Sequence, residues 1–186
     1  MRAAAALAVL LSLLHPAHAV APPDADIVVH VRKDGPVIYV EVQCPVAAPA
    51  PVLWDVLTDY DHMARFVSNL DSSRVEERAD NVLRVHQKGS ASRGPLSISF
   101  EIVREVRLEP FSEIRSRLLS GTLDSSTFVT RIVEGPAGMR IEHSGSYTPR
   151  MWVPPVIGPA MIEAETRKQF GEFRTEMLRR AAVTAR

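Results

Sequence analysis

The last quarter of the chain restricts the fold more than any other stretch. Ile162, Thr166, Phe170, Phe173 and Met177 recur at spacings of four, four, three and four. On a helix those spacings make one continuous apolar stripe. Glu163, Glu165, Arg167, Lys168, Glu172, Arg174 and Glu176 fall mostly on other faces. Arg179 and Arg180 place cations at the negative end of the helix dipole. A lone amphipathic helix must bury its stripe, and the rest of the chain offers it strands rather than a second long helix.

Those strands are visible as alternation. Ile27, Val29 and Val31 precede a Lys33-Asp34-Gly35-Pro36 turn, and Ile38, Val40, Val42 and Cys44 follow it, which reads as a hairpin. Pro49 and Pro51 suit the first turn of a helix running from about 49 to 59, with Val52, Val56 and Tyr60 on one face. A second turn or short helix is expected over about 61–67, and 69–73 is polar and turn-like. Period two then returns through Leu83, Val85 and Gln87. It continues after Arg93-Gly94-Pro95 from Leu96 to Leu108, with Arg104 on the same face as Phe100 and Ile102. Ile114, Ser116, Leu118 and Ser120 come next, then a turn over Gly121–Ser126, then Phe128, Thr130 and Ile132. After the glycine-rich turn at 135–138 come Met139, Ile141, His143, Gly145 and Tyr147. The reading is α+β: a curved antiparallel sheet wrapped around one long C-terminal helix, with two short helices after the first strands. A sheet curved around a single helix leaves space between them, and that space is the candidate pocket.

The N-terminus follows a different pattern. Met1-Arg2 is a positive start, Ala3–Leu14 an apolar stretch, and Ala17-His18-Ala19 an A-x-A cleavage signal. This predicts a secretory signal peptide over 1–19, too short to span a bilayer, and a periplasmic or secreted protein. A linker over 20–26, a single domain over 27–182 and a tail over 183–186 complete the expected organisation. The formal charge is zero, from 22 basic and 22 acidic residues. With no basic stripe, nucleic acid is excluded as the expected partner. The one cysteine, Cys44, ends an apolar alternation and reads as a buried small hydrophobe.

Several polar residues interrupt the apolar strand face: Gln87, Arg104, Ser116, Thr130, His143 and Tyr147. Each buried one needs a partner. They can orient the polar head of a ligand, Arg104 suiting a carboxylate, phosphate or polarised carbonyl. The plainer reading is a satisfied core, or a bulge that turns Arg104 to solvent. Trp54, Tyr60, Phe66, Phe100, Phe128, Trp152, Ile162, Thr166, Phe170 and Phe173 are the remaining candidates to line or gate the cavity. Trp152, ahead of Pro154-Pro155, suits its mouth or a transient membrane contact. His86 is expected to face outward. Asp59, Asp61 and His62 are metal-ligating types within four residues, but no further ligand stands near. Asp61 reads instead as a cap for the residues after it. No catalytic signature of metalloprotease, serine-hydrolase, phosphate-loop or dithiol kind is present. No metal and no cofactor are expected.

The segments Ala48-Pro49, Trp54-Asp55-Val56-Leu57-Thr58-Asp59-Tyr60 and Phe66-Val67-Ser68-Asn69-Leu70 resemble the START-like (SRPBCC) superfamily. The Gly121-centred turn, the Phe128–Ile132 strand and Pro154-Pro155 before the last helix match it too, over about residues 35–180. Within it the chain is similar to the polyketide cyclase/dehydrase branch, which includes coenzyme-Q-binding START-domain proteins and the ribosome-association toxin family. The resemblance implies a helix-grip fold, and it makes 58–68 an elbow from which Tyr60 and Phe66 could gate the cavity. It implies a hydrophobic ligand such as a lipid, quinone or polycyclic compound, held for transport or chaperoning. Two alternatives stay open. One is a cyclase or dehydratase using Arg104, His143 or Tyr147 for proton transfer or enolate stabilisation. The other is an envelope interaction module with a filled cavity. An exported chain does not meet ribosomes, so a ribosomal role is set aside. Fold alone does not choose among the rest, and the oligomeric state is left open.

Overall fold

Alternating stretches produce eight strands: β1 (Val28–Asp34), β2 (Val37–Val46), β3 (Leu70–Ala79), β4 (Val82–Arg93), β5 (Leu96–Glu109), β6 (Glu113–Gly121), β7 (Leu123–Gly135) and β8 (Gly138–Pro149). They form one antiparallel sheet in the order β1-β2-β8-β7-β6-β5-β4-β3. Helix α1 (Ala50–Leu57) and a 3-10 turn (Tyr60–Arg65) join β2 to β3, and helix α2 (Ile157–Thr184) ends the fold. This computed structural model describes residues 24–93, 96–135, 138–155 and 157–184. The expected signal peptide, residues 20–23 of the linker, the turn residues 94–95 and 136–137, and tail residues 185–186 lie outside the described residues. The architecture is the curved sheet and long helix expected from the two periodicities.

Helix α2 is held unevenly. In its second half Phe170, Phe173 and Met177 are buried in the core with Ile27, Val42, Cys44, Leu53 and Val56. Each such side chain stabilises the fold by about 1.5–3 kcal/mol. Beside them Arg174 is buried and paired with Asp24 at 3.0 Å and Asp26 at 2.7 Å. The end of the expected linker is therefore part of the fold, because two of its carboxylates neutralise a buried guanidinium. Glu176 accepts from Arg179 and Arg180 at 2.7 Å, and these bonds hold its carboxyl at about 2. The helix continues to Thr184, two residues beyond the expected domain limit.

The elbow after α1 is fastened to the same half of α2. Asp59 accepts from Arg180 Nη2 at 2.7 Å and lies 2.7 Å from His62 Nδ1. The Ser68 amide donates to Glu172 at 2.9 Å. Asp61 caps no helix: its carboxylate takes the Val75 amide of β3 at 2.7 Å. These ties correct the elbow gate, since opening it would break ion pairs to the best-anchored part of α2. Residues 58–62 are a strut, and among the described residues no group of metal-ligating side chains is assembled here.

Two stretches depart from the expected elements. Residues 70–79 form an edge strand although 69–73 reads as a turn. Register shifts between Leu70 and Ser72 and between Val75 and Glu77 break its alternation, and its outer positions are charged. The turn expected at 121–126 shrinks to Thr122 between β6 and β7, with Gly121, the last residue of β6, at φ +137. A Cβ at Gly121 would stand 2.2 Å from the Glu101 carbonyl oxygen.

Two glycines shape the concave face. Gly145 of β8 lies opposite Phe128, and a Cβ there would be 2.5 Å from the Phe128 ring and 2.1 Å from the Thr127 carbonyl oxygen. Gly89 of β4 stands in the same relation to Phe100. In both places an aromatic ring covers a cross-strand glycine, as expected for sheets that curve. Gly145→Ala is expected to lower stability by about 1–3 kcal/mol through overpacking; an unchanged urea midpoint would show that the ring can move aside.

The Glu176 contacts predict a pH dependence. A folded value below the ordinary 4.5 means stability present above pH 4.5 and lost as pH falls towards about 2. Allowing for the exposed Arg179, the loss is about 2 kcal/mol. Urea unfolding of Glu176→Gln between those pH values should lack this part of the acid slope, and an identical slope would contradict it.

Candidate functional site

The first half of α2 does not close on the sheet. Between them lies a cavity of about 500 Å³, within the range that holds one drug-sized ligand. Its inner end lies among Leu57, Tyr60, Met63, Leu70 and the middles of β4 and β5. Its mouth lies at Thr122, Leu123, Ser126, Pro149, Arg150, Met151 and Val153, where β7 begins and β8 ends.

Most of the sequence-predicted residues line this space. Tyr60 does so from the elbow, Phe100 and Arg104 from β5, Ser116 from β6, Phe128 and Thr130 from β7, and His143 and Tyr147 from β8. Ile162, Thr166, Phe170 and Phe173 do so from α2. Three do not. Trp54 turns to the outer side of α1 and meets Phe111 at 5.7 Å between ring centroids. Phe66 packs on the edge of Phe173 at 6.1 Å and under the Arg180 guanidinium at 5.6 Å. Trp152 is 75% exposed just outside the mouth. The reasons differ: Trp54 stands two residues from both Val52 and Val56 in α1, so helical spacing turns it from their buried face, whereas Phe66 follows the 3-10 turn and Trp152 lies in the irregular segment before Pro154, where neither periodicity fixes a side-chain direction.

Arg104 points inward. A bulge does fall beside it, but in β6: Val103 pairs with Ser120 and Arg104 with Leu118, so Leu119 is the extra residue and β5 keeps its alternation. Arg104 Nη2 donates to Gln87 Oε1 at 2.7 Å, and Gln87 Nε2 donates to Ser73 Oγ at 3.0 Å. The guanidinium lies 5.7 Å from the centre of the Tyr60 ring. Its Nε is buried without a hydrogen-bond partner, and so is Asn69 Oδ1 on the same wall. Burial lowers the Arg104 pKa and raises that of Tyr60. No carboxylate pairs with Arg104 among the described residues.

His143 lies flat on Phe128, with ring centroids 4.7 Å apart and planes 9° from parallel. Thr130 Oγ1 is 2.8 Å from its Nδ1. Burial, then the Arg104 charge, push its pKa down to about 4, so the ring is neutral at neutral pH. Burial also raises the Tyr147 phenol above its ordinary value. The site thus offers one guanidinium without a carboxylate partner, one neutral imidazole and several hydroxyls in an apolar wall, with a second arginine, Arg150, paired to Asp124 at the mouth. Cys44 lies outside it, buried near the Phe170 carbonyl, and burial pushes its thiol up to about 12. His86 is on the outer face between Glu76 at 3.0 Å and Glu101 at 2.9 Å, as its strand position predicts.

Other lining residues went unrecognised as site residues in the sequence. Gln87 was legible as an inner-face polar residue, but its bond to Arg104 was not. Glu165 and Gln169 border the α2 stripe at helical spacing, a usable signal. Asn69 and Met63 lie in the elbow and had none.

No curated protein matches this sequence. Several solved structures share its fold. The Zhui aromatase/cyclase from Streptomyces sp. R1128 aligns with a TM-score of 0.63 and 18% identity, over 81% of this chain and 96% of its own. A STAR-related lipid transfer protein from Xanthomonas axonopodis aligns at 0.67 and 12%, over 81% and 93%. A START superfamily protein from Mycobacterium smegmatis aligns at 0.57 and 13%, over 80% and 98%. The family profile described as "Polyketide cyclase / dehydrase and lipid transport" matches residues 46–174. That match takes in the elbow, every strand from β3 to β8 and most of α2, so the chain belongs to the polyketide cyclase/dehydrase and lipid transport family.

Proposed function

We propose that this protein is an exported carrier of one hydrophobic small molecule, held between the concave sheet and the first half of α2. The observation that carries the reading is the 500 Å³ cavity, walled largely by apolar side chains and open beside α2. Withdrawing an apolar ligand from water there gains about 25 cal/mol per Å² buried. A packed core would leave no such volume, which tells against the interaction module with a filled cavity. The lipid transfer named for the Xanthomonas protein is in keeping with a carrier. The mouth favours loading at a membrane surface: Met151 is 49% and Trp152 75% exposed there, and Trp is favoured at lipid interfaces. Export rests on the signal-peptide pattern of residues 1–19.

A second reading has its own observation. Arg104 and the neutral His143 share one cavity, the pair a cyclase or dehydratase would use to hold an enolate and accept a proton. The carrier reading is preferred because the imidazole, held at about 4, is a weak base.

Native mass spectrometry of the gently purified chain, with lipid extraction, is expected to show one co-purifying hydrophobe per chain. A chain that neither retains nor takes up any apolar molecule would overturn the carrier. Its N-terminus outside the cytoplasm should be Val20, and persistence of residues 1–19 would refute export. Trp152→Ser should weaken vesicle co-sedimentation about tenfold, the scale set by moving one aromatic anchor out of the interface; equal sedimentation would remove the membrane step.

A further inference from the structure

We infer that the ligand carries an acidic head group, a carboxylate, and binds head first, with the anion on Arg104 at the inner end of the cavity and the apolar body towards the mouth. This rests on the carrier reading and adds to it the charge and direction of the ligand.

The unmet bonding of Arg104 leads to it. Among the described residues only Nη2 has a partner, and that partner is the neutral Gln87 Oε1. Nε is buried with none. Gln87 is fixed in place, since its own Nε2 donates to Ser73 and lies 3.4 Å from Met63 Sδ. It therefore aims the guanidinium without neutralising it. The walls nearby are Leu57, Tyr60, Met63 and Leu70, which provide no anion. Among the described residues the one carboxylate on the cavity wall is Glu165, on the first half of α2, and it makes no bond to Arg104. By contrast the other inward arginine, Arg174, has two carboxylates from its own chain. A guanidinium in an apolar site calls for an anion with matching fork geometry. A carbonyl or hydroxyl would give an acceptor but leave the charge unbalanced. The direction follows from placement: Arg104 lies beside the buried Tyr60, whereas Met151 and Trp152, just after β8, are exposed.

The test compares dodecanoate, methyl dodecanoate and dodecanol, titrated by calorimetry at neutral pH into the purified, delipidated chain. Dodecanoate is expected to bind at least about tenfold more tightly than either neutral compound, the scale of a hydrogen bond to a charged group. Arg104→Met should erase that preference, bringing dodecanoate to the affinity that the same variant shows for the neutral compounds, and should raise the melting temperature of the empty protein. If Arg104→Met fails to fold, the ligand series on the unaltered chain still decides. Equal binding of all three compounds overturns the acidic head but leaves the carrier standing, and a carboxylate preference that survives Arg104→Met overturns the placement of the anion on Arg104. Binding of none of them overturns the carrier and this inference together.

Discussion

Everything in this molecule depends on the anchoring of one half of α2. Phe170, Phe173 and Met177 enter the core, and Arg174 is clamped by Asp24 and Asp26 from the segment before β1. Glu176, Arg180 and Asp59 extend the same tie to the elbow after α1. With that half fixed, the first half is carried across the concave sheet at a distance it does not fill. The cavity is thus a consequence of where the helix is fastened, together with a sheet whose glycines at 89 and 145 let aromatic rings lie close to the backbone.

The same arrangement separates stability from function. Apolar burial is concentrated around the second half of α2, α1 and the β1–β2 hairpin, where the buried Arg174 and Glu176 also have their ion pairs. The cavity side holds what a folding core would avoid: an unbalanced guanidinium, an unmatched amide oxygen on Asn69 and a neutral buried imidazole. Such groups cost free energy in the empty protein. A site that gives up stability in this way is poised to regain it from a ligand, and sites that break local rules are where function is expected.

Much of this was legible from residue order. The stripe at 162–177 announced a helix with a buried face, and period two announced the inward set from Phe100 to Tyr147. The edge strand at 70–79 was not legible, because bulges and surface charge erase the alternation by which strands are recognised. The elbow was found, but its role was not. Asp59 and Asp61 have suitable chemistry for a cap or a metal, and only their partners in α2 and β3 make them structural ties. Trp54, Phe66 and Trp152 carry the composition of a cavity wall without its geometry: Trp54 is on another face of α1 from Val52 and Val56, and the irregular backbone at Phe66 and Trp152 sets their directions.

By itself, the sequence determined the two periodicities, hence a curved sheet and one long helix. It also determined which side chains share a strand face, because alternation is a local property of extended backbone. Only the tertiary structure decided that the bulge beside Arg104 falls in β6 and leaves β5 in phase. It also decided that Gln87 answers just one nitrogen of that guanidinium, and that α2 is tied down at one half and stands off at the other. Those outcomes depend on contacts between residues far apart in the chain, and no local pattern encodes the distance at which two distant elements come to rest.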